Sequence, residues 1–221
     1  MSPRPRSTTD AAILAAAHRA VTRVGPMRLT LADVAREANV SPATLVKRFG
    51  SKRQLLLALV ATGRGEIGAE WARILELARR SPLQALYAYV ECMAGMAPTP
   101  EVLANHLSFL QMDLVDPEFH QHALAHARGT LACLDSWLEE AVARQELLPC
   151  DTRRLARAVQ ATVGGSLMQW AIDRKGRLRR RLREDLETLL SPRYPDGRQR
   201  RELKSGRHAT HGSAEPPQNI R

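Results

Sequence analysis

The segment VSPATLVKRFGSKRQLL (Val40–Leu56) contains two closely spaced helix starts. Ser41 can accept a hydrogen bond from a free N–H of the first helical turn, and Pro42 suits the first helical position because its missing N–H needs no partner there. The first of these helices is expected to end near Gly50, and Ser51 is the cap of the next one. The segment therefore predicts a short helix followed at once by another.

The residues before this segment predict two more helices. Thr30-Leu31-Ala32-Asp33 fits a capping box and opens a short second helix. Asn39 follows it, and asparagine tolerates the left-handed backbone that a tight turn often needs. An earlier helix is predicted over residues 10–24, with Asp10 as its cap and Gly25-Pro26 as its end. Two short helices joined by a tight turn, between longer ones, form a helix-turn-helix unit.

The third predicted helix has an outward surface suited to DNA. Leu45 and Phe49 are four residues apart and predict its buried face. Small residues at its tip would enter a major groove, while Lys47 and Arg48 lie further along, where phosphates would pass. Lys52 lies beside the free N–H groups of the next helix, which also attract phosphate. The predicted DNA-binding residues are Thr30, Ser41, Pro42, Ala43, Thr44, Lys47, Arg48 and Lys52. The alternative is that the cations are solvated charges on an ordinary helix.

The distribution of charge favours an anionic partner. The 221 residues have a net charge of +10 and a pI near 10.5. Residues 1–60 hold ten Lys/Arg against three Asp/Glu, residues 61–173 hold nine against fourteen, and residues 174–221 hold fourteen against six. The basic N-terminal block favours double-stranded DNA as the partner. The acidic middle block counts against a non-specific, nucleoid-type DNA-binding protein, which is the alternative function.

Other functional classes find no support in the sequence. Three cysteines, Cys92, Cys133 and Cys150, are widely spaced and form no Cys-x-x-Cys pair, which argues against disulfides and a zinc site. The N-terminus lacks the apolar region of a signal peptide, and no apolar run approaches the length of a membrane span. Nucleophile elbow, P-loop and dinucleotide motifs are absent. We expect a cytoplasmic protein that is not an enzyme, with no metal, cofactor or membrane partner.

The rest of the chain predicts further helices, so the expected fold class is all-α. A capping residue followed by proline is a typical helix start and occurs at Ser81-Pro82, Thr99-Pro100 and Asp116-Pro117. Asp151 begins another helix, and a basic helix is predicted over about 176–190. Its apolar stripe is Leu178, Leu182, Leu186 and Leu189. This basic helix is expected to pack on the body; a second nucleic-acid contact or a membrane-surface helix are the alternatives.

The run from Ile13 to Leu56 resembles the DNA-binding domain of the TetR family of bacterial transcriptional regulators. The family pattern stands here as Ile13-Leu14-Ala15-Ala16-Ala17, Gly25, Thr30 to Ala35, Ala38-Asn39-Val40-Ser41, Leu45 to Phe49 and Ser51 to Leu55. Two positions depart from it. Asn39 replaces the usual turn glycine, and Val46 replaces the usual tyrosine, whose hydroxyl approaches the DNA backbone. Either Lys47 and Arg48 carry more of the binding, or the affinity is lower.

The resemblance implies a homodimer that binds a palindromic operator, most often as a repressor, and a small-molecule effector of unknown identity. It implies a three-helix helix-turn-helix domain followed by a helical regulatory domain. The expected divisions are a disordered basic arm (1–9), the DNA-binding domain (10–67), an effector-binding and dimerisation domain (68–191) and a disordered basic tail (192–221).

Candidate effector-binding residues are methionines, aromatics and one histidine, each of which could instead simply fill the core. They are Met93, Met96, His106, Phe109, Met112, Trp137, Met168 and Trp170. Gly164-Gly165 lies inside a helical run although glycine costs about 1 kcal/mol relative to alanine there. The pair predicts either close packing at an interface or a local kink within one monomer.

Overall fold

The computed structural model describes residues 8–62 and 66–195, with side chains from residue 70 onward in the second range. All regular structure in these ranges is helical, so the predicted all-α class is confirmed. The α-helices are α1 (Asp10–Arg28), α2 (Leu31–Ala38), α3 (Pro42–Phe49), α4 (Lys52–Ala61), α5 (Glu66–Arg80), α6 (Pro82–Gly95), α7 (Pro100–Val115), α8 (Pro117–Ala143), α9 (Thr152–Asp173) and α10 (Leu178–Leu190). A 3-10 turn, Ser191–Arg193, follows α10.

The predicted caps of the helix-turn-helix unit form as expected. Thr30 and Asp33 make both hydrogen bonds of the capping box. Asn39 adopts the left-handed conformation, with φ 53° and ψ 48°. Ser41 and Ser51 each accept a hydrogen bond from the backbone N–H three residues ahead. The caps predicted further along the chain also form, at Ser81, Thr99, Asp116 and Asp151.

The first helix differs from its prediction at both ends. Thr9, and not Asp10, is the cap, because its side chain accepts a hydrogen bond from the Ala12 N–H and leaves Asp10 as the first helical residue. Thr9 is thereby part of the fold, although it was expected to end a disordered arm. At the other end Gly25 breaks the helix, with φ 76° and ψ 156°, but a short helical turn resumes at Pro26 and ends at Arg28.

The helix α5 was not predicted as a separate element. It has no cap-and-proline start of the kind that marks α6, α7 and α8, so the sequence offered no local signal for where it begins. The predicted domain boundary between residues 67 and 68 consequently falls inside this helix.

The predicted disordered tail, residues 192–221, begins within residues that are part of the fold. The 3-10 turn Ser191–Arg193 continues α10, and the Arg193 carbonyl accepts a hydrogen bond from the Leu148 N–H at 2.7 Å. Tyr194 is buried, and its hydroxyl lies 2.9 Å from that of Tyr87. Because its hydroxyl has a hydrogen-bond partner, the Tyr194 ring can lie buried in the core of the protein. Residues 196–221 of the predicted tail, and residues 1–7 of the predicted arm, lie outside the described residues.

Two hydrophobic clusters organise the protein. The first, which we call the head core, joins α1 to α4 and also contains Phe109 from α7 and Phe119 from α8. The second, the body core, joins α5 to α10 and includes Trp137 and Trp170. Because Phe119 is fully buried among head residues, the head is not an independently packed unit. Movements of α7 and α8 must therefore reach the head.

Candidate nucleic-acid interface and its junction with the body

The surface of α3 has the two faces expected from its sequence. Leu45 is fully buried in the head core, and Phe49 packs against it half-buried. Pro42, Ala43 and Lys47 are exposed on the opposite side. Exposure of small residues at the start of the helix leaves room for the close approach that reading of base edges requires.

The three predicted cations differ in what they already contact. Lys47 is exposed and makes no ion pair within residues 8–62 and 66–195. Arg48 places its Nε 3.0 Å from a carboxylate oxygen of Asp10 and also donates to the Thr8 carbonyl. Lys47 can therefore meet a phosphate without giving up a partner, whereas Arg48 holds the start of α1 against α3.

Lys52 is partly withdrawn from solvent. Its Nζ donates a hydrogen bond to the Met27 carbonyl at 3.0 Å, and partial burial lowers the pKa of the amine. An ammonium has three N–H groups, so two of them remain for another partner. Lys52 keeps its capacity to bind an anion at the N-terminus of α4.

The predicted hydroxyl contacts with DNA already have local partners. The Thr30 hydroxyl donates to the Asp33 carboxylate at 2.6 Å, and this bond is the leading reason that the pKa of Asp33 is lowered. The Ser41 and Thr44 hydroxyl oxygens are 2.9 Å apart. The Thr30 bond fixes the start of α2, and the contact between Ser41 and Thr44 fixes the start of α3.

Glu37, an acidic residue of α2 that could repel DNA, is neutralised within the head. Glu37 receives hydrogen bonds from Arg19 Nε at 2.9 Å and Arg23 Nη1 at 3.2 Å. The bond from Arg19 is the main reason that the pKa of Glu37 is lowered. The surface around the helix-turn-helix unit therefore keeps its net positive charge.

One contact between head and body involves the break in α1. The side-chain amide of Asn105 on α7 donates to the carbonyls of Thr22 and Arg23, each at 3.0 Å, next to the break. Gly25 lies against the same amide, and a Cβ added there would be 2.9 Å from Asn105 Oδ1. Glycine is required both for this close approach and for the positive φ of residue 25.

A second contact was missed by sequence reasoning and involves Arg53. Its guanidinium makes two hydrogen bonds to Asp116, at 2.8 and 2.7 Å, and an ion pair with Glu118 at 2.5 Å. The same group lies 6.0 Å from the centre of the Phe119 ring. Bidentate pairing holds Arg53 in one geometry and lowers the pKa of Asp116. The basic residue next to Lys52 thus joins the head to α8, and its guanidinium is already engaged by carboxylates.

A cavity of about 410 Å³ lies between these head and body elements. We call it the junction cleft. Its lining comes from α1 and α4 on the head side and from α7 and the start of α8 on the body side: Pro26, Met27, Lys52, Arg53, Leu56, Gln111, Met112, Val115 and Asp116.

The candidate effector-binding residues are divided among different surroundings. Phe109 and Met112 belong to or pack against the head core. Trp137 and Trp170 are buried in the body core, and the Trp137 ring is 5.9 Å from that of Trp71. Met168 is 47% exposed. The remaining three, Met93, Met96 and His106, are half-buried. Their assignment to an effector site stays a prediction.

One face of α9 exposes apolar and glycine surface. Gly164 and Gly165 are exposed, and a Cβ at either would meet nothing within 4 Å. Met168 and Ile172, spaced four residues further along, are 47% and 71% exposed. Because α9 is continuous through the glycines, the structure gives no support to the predicted kink within one monomer.

The basic helix α10 packs on the body, as predicted. Leu178, Leu182 and Leu186 of the predicted stripe are buried, and Leu189 is half-buried. Its arginines are paired with carboxylates: Arg179 and Arg183 with Glu91, Arg180 with Glu184, and Arg181 with Asp173. Neutralised arginines leave α10 with little charge to attract a nucleic acid.

The described residues contain neither a group of metal-ligating side chains nor a helix that could span a membrane. Residues 8–62 and 66–195 bring no three His, Cys, Asp or Glu side chains together in a way that could hold a metal ion. No helix described here has the length and apolar character needed to cross a membrane.

Comparison with known proteins supports the interpretation of the head. Residues 13–59 match the family described as bacterial regulatory proteins, tetR family. The HTH-type transcriptional regulator BetI of Rhizobium meliloti (strain 1021) is 27% identical over 156 residues, which covers 70% of this chain and 73% of the relative.

Solved structures share the whole architecture. The transcriptional regulator FadR from Bacillus subtilis, in complex with stearoyl-CoA, has a TM-score of 0.65 at 20% identity and covers 81% of this chain and 97% of its own. A protein from Saccharomonospora viridis, described as a transcriptional regulator in complex with choline, has a TM-score of 0.69 at 19% identity, with 82% and 97% covered. With its helix-turn-helix motif and its all-α fold, the chain is similar to the TetR family of bacterial transcriptional regulators, and the match of residues 13–59 places the DNA-binding segment of that family in the head.

Proposed function

We propose that the protein is a cytoplasmic, homodimeric, ligand-responsive repressor that binds a palindromic operator through α3. The observation that carries the proposal is the construction of the head core, which two body aromatics, Phe109 and Phe119, complete. A head built in this way cannot change its orientation without a change in α7 or α8. A small molecule bound by the body could therefore control how the head meets DNA.

In this proposal α3 enters the major groove. Pro42, Ala43 and Thr44 face the base edges, and Lys47 meets the phosphate backbone from the exposed side of the helix. Val46, which stands where the family has a tyrosine, is 50% exposed and offers DNA only an apolar contact. Lys47 therefore takes a larger share of the electrostatic contact.

The dimer in this proposal forms through α9 and α10. The exposed face of α9 presents Gly164, Gly165, Met168 and Ile172, which is apolar surface that a second copy would cover. Two glycines allow two helix backbones to approach closely. A symmetric pair of this kind holds two α3 helices at a set distance, as recognition of two half-sites requires.

The effector acts by shifting a population. It releases DNA only to the extent that it binds the DNA-incompetent state more tightly than the competent one. The FadR and Saccharomonospora viridis structures contain stearoyl-CoA and choline respectively, which are chemically unlike each other. Their ligands therefore support ligand response in this fold and do not identify the effector of this protein.

A binding-site selection from random double-stranded DNA with the purified full chain tests this function. We expect enrichment of an inverted repeat whose half-sites are about one helical turn apart or a multiple of it. A selection that enriches no sequence would contradict specific regulation and support the nucleoid-type alternative. Measurement of transcription from a promoter carrying the selected site then tests repression, which an increase in transcription would contradict.

A further inference from the structure

The junction cleft has the size and apolar lining of a small-molecule site. Its volume of about 410 Å³ falls within the range of ordinary ligand pockets, roughly 300–1,000 Å³. Apolar side chains supply both walls, with Met27 and Leu56 from the head and Met112 and Val115 from the body. A molecule in the cleft would touch the two parts of the protein at once.

Part of this apolar lining is left open to solvent. Met27 is 62% exposed and Val115 is 77% exposed, although both contribute to the cleft. Removal of apolar surface from water is favourable by about 25 cal/mol for each Å². An occupant with an apolar body would gain this energy by covering both side chains.

The two cations of the cleft lining differ in their partners. Arg53 is neutralised by its bonds to Asp116 and by Glu118. Lys52 has no carboxylate partner within residues 8–62 and 66–195, and its one hydrogen bond goes to the neutral Met27 carbonyl. Partial burial of the amine weakens its hydration, which makes an added negative charge more favourable there. Lys52 thus offers an anion a cation that no carboxylate of the described residues contacts, with two N–H groups beyond the one bonded to Met27.

We propose that the junction cleft binds a small amphipathic anion. Its apolar body lies between Met27 and Val115, and its carboxylate or sulfonate pairs with Lys52. The occupant is a free small molecule, since the cleft is bounded by the head on one side and by α7 on the other. This site is separate from the candidate effector residues of the body, of which only Met112 lines it.

The regulatory consequence rests on the proposed function. Lys52 is also a predicted phosphate contact, so an anion bound to its Nζ competes with the DNA backbone. The same occupant touches both α4 and α7, so it favours one orientation of the head, and with it of α3, over others. Both effects lower operator affinity, and by linkage the operator lowers affinity for the anion by the same factor.

Fluorescence titration of the full-length protein with two related dyes tests the binding site. The anionic dye is 1-anilinonaphthalene-8-sulfonate, and the neutral dye is N-phenyl-1-naphthylamine, which has the same rings without the sulfonate. Lys52→Gln should weaken binding of the anionic dye at least about tenfold, because it removes a hydrogen bond to a charged group, and should barely change binding of the neutral dye. Equal effects on both dyes would overturn the assignment of Lys52.

A second pair of variants tests whether the dyes bind in the junction cleft. Val115→Trp should fill the cleft and weaken both dyes, whereas Leu114→Trp adds the same ring at a neighbouring position that is 68% exposed and does not line the cleft. Because both positions lie on the surface, the substitutions leave the buried core intact. Unchanged binding to Val115→Trp, or equal losses in the two variants, would overturn the proposal.

The proposed coupling between the cleft and DNA binding is tested by measuring operator affinity. Saturating anionic dye should lower the affinity of the wild-type protein for the selected operator, and Val115→Trp should make operator affinity insensitive to the dye. If the dye binds in the cleft and operator affinity does not change, the coupling is wrong. Failure of the dye experiments leaves the operator selection unaffected, so the cleft and the proposed function fail separately.

Discussion

At the scale of single residues, cations that are neighbours in sequence have different surroundings. Lys47 has no ion pair among the described residues, Arg48 holds Asp10 and Thr8, and Arg53 is bound to the body. An arginine that already has partners gains less from a phosphate than a solvated lysine does, because it must share or exchange hydrogen bonds. The number of positive charges in this segment therefore overstates the number that can bind DNA.

We expect Lys47→Ala to weaken binding to operator and to unrelated DNA by a similar factor. Neutralisation of one phosphate fewer should reduce the slope of log affinity against log salt by about 0.9. Arg48→Ala should reduce this slope less, because its guanidinium is engaged with Asp10 in the free protein. Fluorescence anisotropy across a salt series measures both slopes, and equal reductions would contradict the distinction between the two cations.

At the scale of helices, the break in α1 links head and body. The helix is kinked at Gly25, and Asn105 of α7 satisfies the carbonyls of Thr22 and Arg23 that the break leaves open. The neighbouring pair of Arg53 and Asp116 adds a second fixed point between α4 and α8. These two polar contacts, together with Phe109 and Phe119 in the head core, explain how helices of the body position the helices of the head.

We expect Gly25→Ala to destabilise the protein by more than Gly176→Ala does. Both glycines have positive φ, 76° and 71°, which costs an alanine about 1–3 kcal/mol. Only at Gly25 would the new Cβ press on Asn105, at 2.9 Å, whereas at Gly176 nothing lies within 4 Å. Urea unfolding compares the two variants. Equal losses of unfolding free energy would mean that the contact with Asn105 is not a tight one.

At the scale of the whole molecule, the proposed dimer depends on the exposed face of α9, and the proposed long-range attraction to DNA depends on the charge of the residues after α10. A Cβ added at Gly164 or Gly165 would meet nothing within 4 Å in a monomer, so a loss of assembly caused by a larger side chain there would point to a second copy. Beyond α10, Tyr194 belongs to the body core. Residues 196–221 carry six Lys/Arg against three Asp/Glu, a net charge of +3.

Replacement of Gly165 by leucine should convert the dimer to monomers and sharply reduce operator affinity, because two half-sites are no longer held together. Gly129→Leu is the matched control, since Gly129 also lies in a helix with nothing within 4 Å of its Cβ but is on α8. Sedimentation velocity at micromolar concentration distinguishes the two. A dimeric Gly165→Leu protein, or a monomeric wild type, would contradict the proposed interface.

Truncation after Pro195 should leave the operator preference intact and flatten the salt dependence of non-specific binding, by about 0.9 for each phosphate that residues 196–221 neutralise in the full chain. Truncation after Ser191 should in addition lower stability, because it removes buried Tyr194 and its bond to Tyr87. Anisotropy and thermal unfolding measure the two effects. A wild-type salt slope after the shorter truncation would show that this segment does not touch DNA.

Features that depend on neighbouring residues could be predicted from the amino-acid sequence alone. The caps at Thr30, Ser41 and Ser51, the left-handed Asn39 and the faces of α3 all follow from bonds that span at most four residues. These features were enough to predict the helix-turn-helix unit, and the motif pattern from Ile13 to Leu56 carried the resemblance to the TetR family. Hydrogen bonds of this kind depend mainly on residues close in sequence, so most of them can be predicted without the fold, although the cap of α1 proved to be Thr9 and not Asp10.

The partners of the polar groups, and the way head and body meet, follow only from the packing of the helices in three dimensions. Arg53 and Asp116 are 63 residues apart, Asn105 and Thr22 are 83 apart, and Tyr87 and Tyr194 are 107 apart. No periodicity links such pairs, because their distance depends on how every helix between them packs. The difference between Lys47, which has no ion pair in the described part, and the engaged Arg48 has the same origin: a charge is visible in a sequence, but its partner is chosen by the fold.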